Sequence, residues 1–183
     1  LRDGTAVAVS DGSFKDKFGT AAWVIEGRRA DGRVEGQCII PGGPEDQSAH
    51  CSELGGLYAI AAMVQVICEL HNIQEGSIEV ACDGMNALAQ VGEADPIIRP
   101  NGAQYDIIAA TQAKIKRTNI QWKMRHVMGH QDDTQGCTVM DRWETLNCMM
   151  DERAKQHWQH HSTRMTRVQA AVDGEPWAVW TGS

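Results

Sequence analysis

Two Asp-Gly pairs, each following a run of residues that favours β-structure, are the first candidates for chemistry in this chain. Asp11 follows the alternating run 5–10, and Asp83 follows the short run 78–82. We predict that both strands end at these aspartates, since Asp-Gly is a turn signal. In open α/β sheets, functional side chains gather where parallel strands end, so two parallel neighbours would bring Asp11 and Asp83 face to face.

Two further carboxylates could reach the same edge of the sheet. Glu53 lies early on a long predicted helix, and Asp151 lies on the last one. Ionised carboxylates a few ångströms apart repel one another, and divalent cations between them hold them ionised. All-oxygen ligation selects hard cations such as Mg²⁺ or Mn²⁺, and a pair of these suits in-line attack of water on a phosphodiester. Each acidic residue taken alone is more often a turn or a solvated helix position, so the prediction rests on their combination.

Hydrophobic patterning predicts the elements that would position these four side chains. Three β-rich runs form an antiparallel meander, with Asp31-Gly32 as the hairpin signal between the second and the third. A long helix that is apolar on most faces follows them and is expected at the centre of the fold. The predicted strands are 5–11, 19–26, 34–40, 78–82 and 120–125, and the predicted helices are 48–70, 85–91, 103–117 and 143–160. Since the later strands alternate with helices, we expect an α/β fold whose mixed five-stranded sheet, an antiparallel hairpin edge plus parallel strands, is flanked by helices.

Composition places the chain among single-domain globular proteins, with 183 residues of which 42% are hydrophobic. The longest apolar stretch, 54–70, contains glycine, glutamine and glutamate, so we expect no membrane span. The six cysteines form no Cys-x-x-Cys pair, which indicates reduced thiols of an intracellular protein rather than a zinc site. Three of them lie in apolar runs, where a thiol behaves as a small buried hydrophobe. These three are Cys38, Cys68 and Cys82.

The net charge of −7 argues against a polyanionic partner until its distribution along the chain is considered. Acidic side chains predominate in residues 1–100, whereas residues 109–168 have an excess of basic ones, so this second part could face phosphate. A solvated charged surface is an equally good interpretation. The basic side chains concerned are Lys114, Lys116, Arg117, Lys123 and Arg125.

Five short segments contain the four acidic residues and a late histidine. They are Val9-Ser10-Asp11-Gly12-Ser13, Ser48-Ala49-His50-Cys51-Ser52-Glu53-Leu54, Val80-Ala81-Cys82-Asp83-Gly84, Val127-Met128-Gly129-His130 and Asn147-Cys148-Met149-Met150-Asp151. Together, in this order, they resemble the ribonuclease H family. The glutamate segment is similar to its retroviral and retrotransposon form, and the resemblance extends over about 5–160. At Gly84 most relatives have serine.

The resemblance implies a role for each residue of the site. Asp11 would bridge two Mg²⁺ ions, or Mn²⁺ in their place, and Asp151 would bind the ion that activates water. Glu53 and Asp83 would bind the ion near the leaving group, and His130 would assist proton transfer or product release. The RNA strand would be recognised by its ribose 2′-hydroxyls. Four small residues and two larger polar residues, His50 and Asn147, would contact it. This set is Gly12, Ser13, Ala49, His50, Gly84 and Asn147.

The identity of the fourth carboxylate has alternatives. The loop between His130 and Asp151 is several residues longer than the resemblance leads us to expect. It contains Asp132, Asp133 and Asp141, each of which could take the place of Asp151.

We therefore expect an endonuclease that cleaves the RNA strand of RNA:DNA hybrids, with residues 1–161 as its catalytic domain and 162–183 as a C-terminal tail or linker. The region 91–104 lacks the basic protrusion that cellular relatives often have, and both ends look cut from something longer. This favours the ribonuclease H domain of an intracellular retroelement polyprotein with an attached reverse transcriptase domain. Two alternatives stay open: a related nuclease or integrase-type transferase, and a non-catalytic module of the same fold that docks nucleic acid or protein.

Overall fold

The computed structural model describes residues 1–27, 32–92, 104–129 and 140–162. Within these ranges the chain forms five strands and four helices, and every predicted element is present. The strands are β1 (Ala6–Lys15), β2 (Phe18–Glu26), β3 (Arg33–Ile39), β4 (Ser77–Cys82) and β5 (Gln121–His126). The helices are α1 (Ala49–Leu70), α2 (Met85–Gly92), α3 (Tyr105–Arg117) and α4 (Arg142–His161).

The five strands form one sheet in the order β3-β2-β1-β4-β5. β1 pairs antiparallel with β2, and β2 pairs antiparallel with β3. β4 pairs in parallel with β1 on one side and with β5 on the other. The predicted mixed sheet with an antiparallel edge is therefore confirmed. Asp31, in the predicted turn between β2 and β3, lies outside the described residues.

The prediction that the first strand ends at Asp11 is wrong. β1 continues to Lys15, which pairs with Phe18 of β2. The turn lies at Asp16 and Lys17, which both have the left-handed backbone conformation, with φ of 52° and 59°. Two consecutive left-handed residues match the twist of a tight hairpin. Asp11-Gly12 therefore stays in strand conformation, because β2 continues to pair with it.

α1 is the central helix and packs on one face of the sheet together with α2 and α3. It begins at Ala49, one residue later than predicted, because Ser48 is its N-cap and accepts a hydrogen bond from the Cys51 amide. With 22 residues and a mean hydropathy of 1.5, α1 is long and apolar enough to cross a membrane. No other helix among the described residues is. The packing of α1 against the sheet explains this composition, since more than half of that apolar stretch is buried in the fold.

α4 covers the opposite face of the sheet, where Met150 and Ala154 are fully buried against β1 and β2. Two ion pairs attach it to the neighbouring strands. Arg142 lies 3.0 Å from Glu26, and Arg153 lies 2.5 Å from Glu35. These contacts help to hold the helix that positions Asp151 near Asp11 of β1.

Candidate active site

Asp11 on β1 lies near Asp83, the residue that follows the neighbouring parallel strand β4, and the charge of Asp83 contributes to the raised pKa of Asp11. The last paired residues of β1 and β4 are Val9 and Ala81, and the same register continued by two residues places Asp83 opposite Asp11. Side chains alternate between the two faces of a sheet, and Val9 and Ala81 both pack on the α4 face. Asp11 and Asp83 therefore share the face covered by α4, where Asp11 is only 5% exposed.

Glu53, in the first turns of α1, lies close to Gly12 of β1 and to Asp83. One of its carboxylate oxygens accepts a hydrogen bond from the Gly12 amide at 3.3 Å, and the other accepts one from the Cys82 thiol at 2.9 Å. Glycine at position 12 makes the approach of α1 to β1 possible, because a Cβ there would lie 2.8 Å from the Glu53 backbone nitrogen. Any side chain at this position would push Glu53 away from β1.

Asp151 and Asn147 come from one face of α4, one turn apart. Asn147 is almost completely buried, and its amide nitrogen lies 3.4 Å from a carboxylate oxygen of Asp11. Asp151 is half-buried and accepts a hydrogen bond from the Lys155 ammonium at 2.6 Å. Its charge contributes to the raised pKa of both Asp11 and Glu53, so α4 completes a four-carboxylate cluster.

Burial and mutual repulsion make ionisation of this cluster costly. Burial, followed by the charges of Glu53, Asp83 and Asp151, raises the pKa of Asp11 to about 9. Burial and then the charge of Asp83 raise the pKa of Glu53 to about 8, although its bonds from Cys82 and Gly12 oppose the shift. Both carboxyl groups therefore hold protons near neutral pH, and a cation between them would favour their ionised forms.

The chemistry of these side chains fits divalent cations. Four carboxylates converge from β1, α1, α4 and the end of β4, as hard cations require. The buried side-chain oxygen of Asn147 accepts no hydrogen bond from any described residue, so a polar acceptor beside Asp11 is left for a ligand or its water. Ligand atoms of Glu53, Cys82 and Asp83 lie within 4.8 Å of one another.

Gly12, Gly84 and Asn147, of the residues predicted to contact RNA, lie against Glu53 or Asp11, and the other three lie on β1 or at the start of α1. Gly84 adjoins Glu53, since a Cβ at position 84 would lie 2.9 Å from the Glu53 Cγ. The Ser13 carbonyl accepts a hydrogen bond from Ser52, and Ala49 is the first residue of α1. The His50 ring lies 2.9 Å from the Gln90 side chain. Their contacts with RNA stay predictions.

The loop residues of the prediction have different outcomes. Asp141 is the N-cap of α4 and accepts a hydrogen bond from the Glu144 amide at 2.8 Å, while the Glu144 side chain bonds back to the Asp141 amide. This capping box explains an acidic residue at position 141 without a metal. His130, Asp132 and Asp133 lie outside the described residues.

Two of the basic residues considered for phosphate binding are engaged within the protein. Lys114 is buried, with its ammonium 5.4 Å from the centre of the Tyr58 ring. Arg125 pairs with Glu79 at 2.6 Å and stacks over Trp143. These contacts reduce the positive surface that the chain offers to a phosphate backbone.

Sequence reasoning missed the part that Cys82 plays at the site. It treated the cysteine as a small buried hydrophobe, and the residue is indeed fully buried. Its thiol nevertheless donates a hydrogen bond to Glu53 and accepts one from the Gly84 amide at 3.3 Å. The available signal was its position directly before Asp83, at the end of the parallel strand.

Solved structures with the same arrangement of elements are ribonuclease H proteins. The N-terminal RNase H domain of rv2228c from Mycobacterium tuberculosis is 13% identical, with a TM-score of 0.59 over 87% of this chain and 96% of that one. RNase H1 from Halobacterium salinarum is 16% identical, with a TM-score of 0.54 over 85% and 98% of the two chains. LC11-RNase H1, solved in complex with an RNA/DNA hybrid, is 12% identical, with a TM-score of 0.60 over 82% and 94%.

No protein-family model matches the sequence, and a search of curated proteins found no match. At these identities, the structural neighbours establish the fold, which confirms the fold that the sequence resemblance implied.

Proposed function

Since the chain has the ribonuclease H fold, we propose that it is an endonuclease that hydrolyses the RNA strand of RNA:DNA hybrids with two divalent cations, Mg²⁺ or Mn²⁺. The observation that carries this proposal is the convergence of Asp11, Glu53, Asp83 and Asp151 from four different elements. A docking surface has no need of so much like charge in one place, and a hydrolytic site that holds cations does.

The carboxylates divide the work of holding these cations. Asp11, at the centre of the cluster, would contact both, while Asp151 would hold the cation on the side of the attacking water. Glu53 and Asp83 would hold the cation on the side of the leaving oxygen. The bound pair supplies charge stabilisation to both oxygens and an activated water.

Proton transfer and alignment fall to groups of the chain itself. Burial and then mutual repulsion raise the pKa of Asp11 and Glu53, so these groups would release protons when cations are held, because the positive charge favours the carboxylate forms. Asn147 orients the Asp11 carboxylate through its amide. His130 is proposed to assist proton transfer or product release.

The choice of substrate is supported by one neighbour and by the form of the site. LC11-RNase H1 was solved in complex with an RNA/DNA hybrid. In this chain, Gly12, Ser13, Ala49 and His50 lie where β1 meets the start of α1, beside Glu53. Main-chain groups at such a junction can contact ribose 2′-hydroxyls, which distinguish RNA from DNA.

We further propose that the domain works as part of an intracellular retroelement polyprotein, attached to a reverse transcriptase domain. The five described cysteines are free thiols, in keeping with a reducing compartment. The chain has a net charge of −7, and two of its basic side chains are used internally. A covalently attached polymerase would supply the affinity for nucleic acid that this surface lacks.

This proposal predicts weak binding of hybrid by the isolated 183-residue chain. In Ca²⁺, the dissociation constant at physiological salt should be roughly 10⁻⁶ to 10⁻⁴ M, and affinity should fall steeply as salt increases. Fluorescence anisotropy of a labelled hybrid over a salt series measures both quantities. Nanomolar binding at physiological salt would contradict the need for an attached polymerase.

A panel of substrates tests the activity. The chain is incubated with Mg²⁺ and with labelled RNA:DNA hybrid, duplex DNA, duplex RNA and each single strand. We expect internal cuts in the RNA of the hybrid alone. Cleavage of duplex DNA would favour a related nuclease or transferase, and binding without cleavage of any substrate would favour a docking module.

A further inference from the structure

A sulfur atom, that of Cys82, lies among the carboxylate oxygens of the acidic cluster. Cys82 is the last residue of β4, and its side chain shares the α1 face of the sheet with Val80. Glu53 approaches from α1 on that same face, which brings the thiol 2.9 Å from its carboxylate. Asp83, the next residue, belongs to the α4 face, so the sulfur and both carboxylates meet where the strand ends.

The ligand atoms of these residues are close enough to bind one ion. Zinc lies about 2.3 Å from a cysteine sulfur and about 2.0–2.2 Å from a carboxylate oxygen, so two ligand atoms in its tetrahedral geometry lie about 3.3–3.7 Å apart. The three ligand atoms are within 4.8 Å of one another before any ion is present. Side-chain rotations that move the ligand atoms by up to about 1 Å would therefore complete the coordination.

A thiol changes which cations such a site prefers. Mg²⁺ and Mn²⁺ favour carboxylate and water, whereas Zn²⁺ and Cd²⁺ gain from a soft sulfur ligand. We propose that Cys82, Glu53 and Asp83 form a binding site for a thiophilic divalent cation, Zn²⁺ or Cd²⁺, which competes with Mg²⁺ for the active site. The binding stands on the geometry alone, and the resulting loss of cleavage rests on the proposed function.

The binding step involves no change of oxidation state. The S–H bond of Cys82 breaks, the sulfur lone pair forms the bond to the cation, and the proton passes to the buffer. The carboxylate of Glu53, which accepts the thiol hydrogen bond in the free protein, becomes a ligand in its place. Glu53 and Asp83 cannot then serve Mg²⁺, so cleavage stops until the thiophilic cation is removed.

Cadmium provides a direct test, because a thiolate–Cd²⁺ bond has a charge-transfer absorption in the ultraviolet that carboxylates do not produce. The parent chain, Cys82→Ser, Cys82→Thr and the control Cys38→Ser are titrated with Cd²⁺ in excess Mg²⁺, by absorbance and by calorimetry. Cys38 suits the control because it lies on β3, opposite Ala21, and two strands, β2 and β1, separate it from β4. We expect one tight Cd²⁺ with the absorption band in the parent and in Cys38→Ser. In both Cys82 variants the band should disappear and Cd²⁺ affinity should fall by at least about tenfold.

An unchanged band in the Cys82 variants, or no band in the parent, would overturn the proposal. If circular dichroism shows that neither Cys82 variant folds, Glu53→Gln replaces them: its Cd²⁺ affinity should fall while the band persists, and an unchanged affinity would contradict the site. A chain that binds Cd²⁺ at Cys82 but does not cut hybrid in Mg²⁺ would disprove the proposed function alone. A chain that cuts hybrid and shows no band would disprove this inference alone.

Discussion

Replacement of Asp11 by asparagine is expected to lower the rate of hybrid cleavage by about a thousandfold while the protein stays folded. Asp11 is the buried centre of the four-carboxylate cluster, so its charge would be shared by both cations. Asparagine preserves the size of the side chain and an oxygen that can accept the bond from Asn147, but removes the charge. Initial rates on a fluorescent hybrid at saturating Mg²⁺, with circular dichroism of the same samples, measure the effect.

Glu152→Gln is the matched control for this substitution. Glu152 follows Asp151 on α4, but it is exposed and bonded to Gln156. Its loss should leave the rate within about twofold, as is usual for surface substitutions. His130→Ala should leave slow turnover with cation binding intact. A small and equal effect of Asp11→Asn and Glu152→Gln would show that the cluster is not the active site.

The second large effect is on stability in the absence of divalent cations. The pKa of Asp11 is raised from 3.8 to about 9, and that of Glu53 from 4.5 to about 8. Between pH 5 and 8, the folded state therefore holds protons that the unfolded state has released, so the free energy of unfolding should fall as pH rises. The slope is up to about 1.4 kcal/mol per pH unit for each proton, and it should level off above pH 9.

Magnesium should reverse this trend, because it binds the ionised carboxylates of the folded state. Thermal unfolding in EDTA and in increasing Mg²⁺, from pH 5 to 9, measures both effects. Asp83→Asn should stabilise the protein in EDTA by about 1 kcal/mol and reduce the gain from Mg²⁺, since it removes one repelling charge. A stability in EDTA that is independent of pH, or an equal response of parent and variant to Mg²⁺, would contradict a shared cation site.

The sheet and its acidic edge could be predicted because the signals are local. Alternating runs predicted each strand, and strands separated by helices predicted the parallel pairing of β1 with β4. That pairing sets Asp11 beside Asp83, and the apolar pattern of α1 placed Glu53 near them. The predicted position of the end of β1 was wrong for two reasons. Asp-Gly is also compatible with a strand, and the actual turn at Asp16 and Lys17 contains no glycine.

Other features of the site depend on contacts between distant parts of the chain. Cys82 reads as one more apolar residue of β4 until Glu53, 29 residues earlier, is placed against it. The ion pair between Arg125 and Glu79 could likewise not be predicted without the tertiary structure. The same holds for the N-cap that Asp141 forms for α4. The raised pKa of Asp11 arises from its burial and then from three carboxylates on three other segments, so composition alone gives no measure of it.

The most direct test of the central claim is cleavage of a hybrid whose RNA strand carries a 5′ label, by the full chain, with Mg²⁺ and with EDTA. In the proposed mechanism the four carboxylates act only through the cations they would hold, so we expect internal cleavage in Mg²⁺ and none in EDTA. The RNA fragments should have 3′-hydroxyl and 5′-phosphate ends, because water attacks the phosphorus and the 3′ oxygen departs with its electron pair and takes up a proton. Cleavage that persists in EDTA, or fragments with cyclic phosphate ends, would contradict a hydrolytic site built from Asp11, Glu53, Asp83 and Asp151.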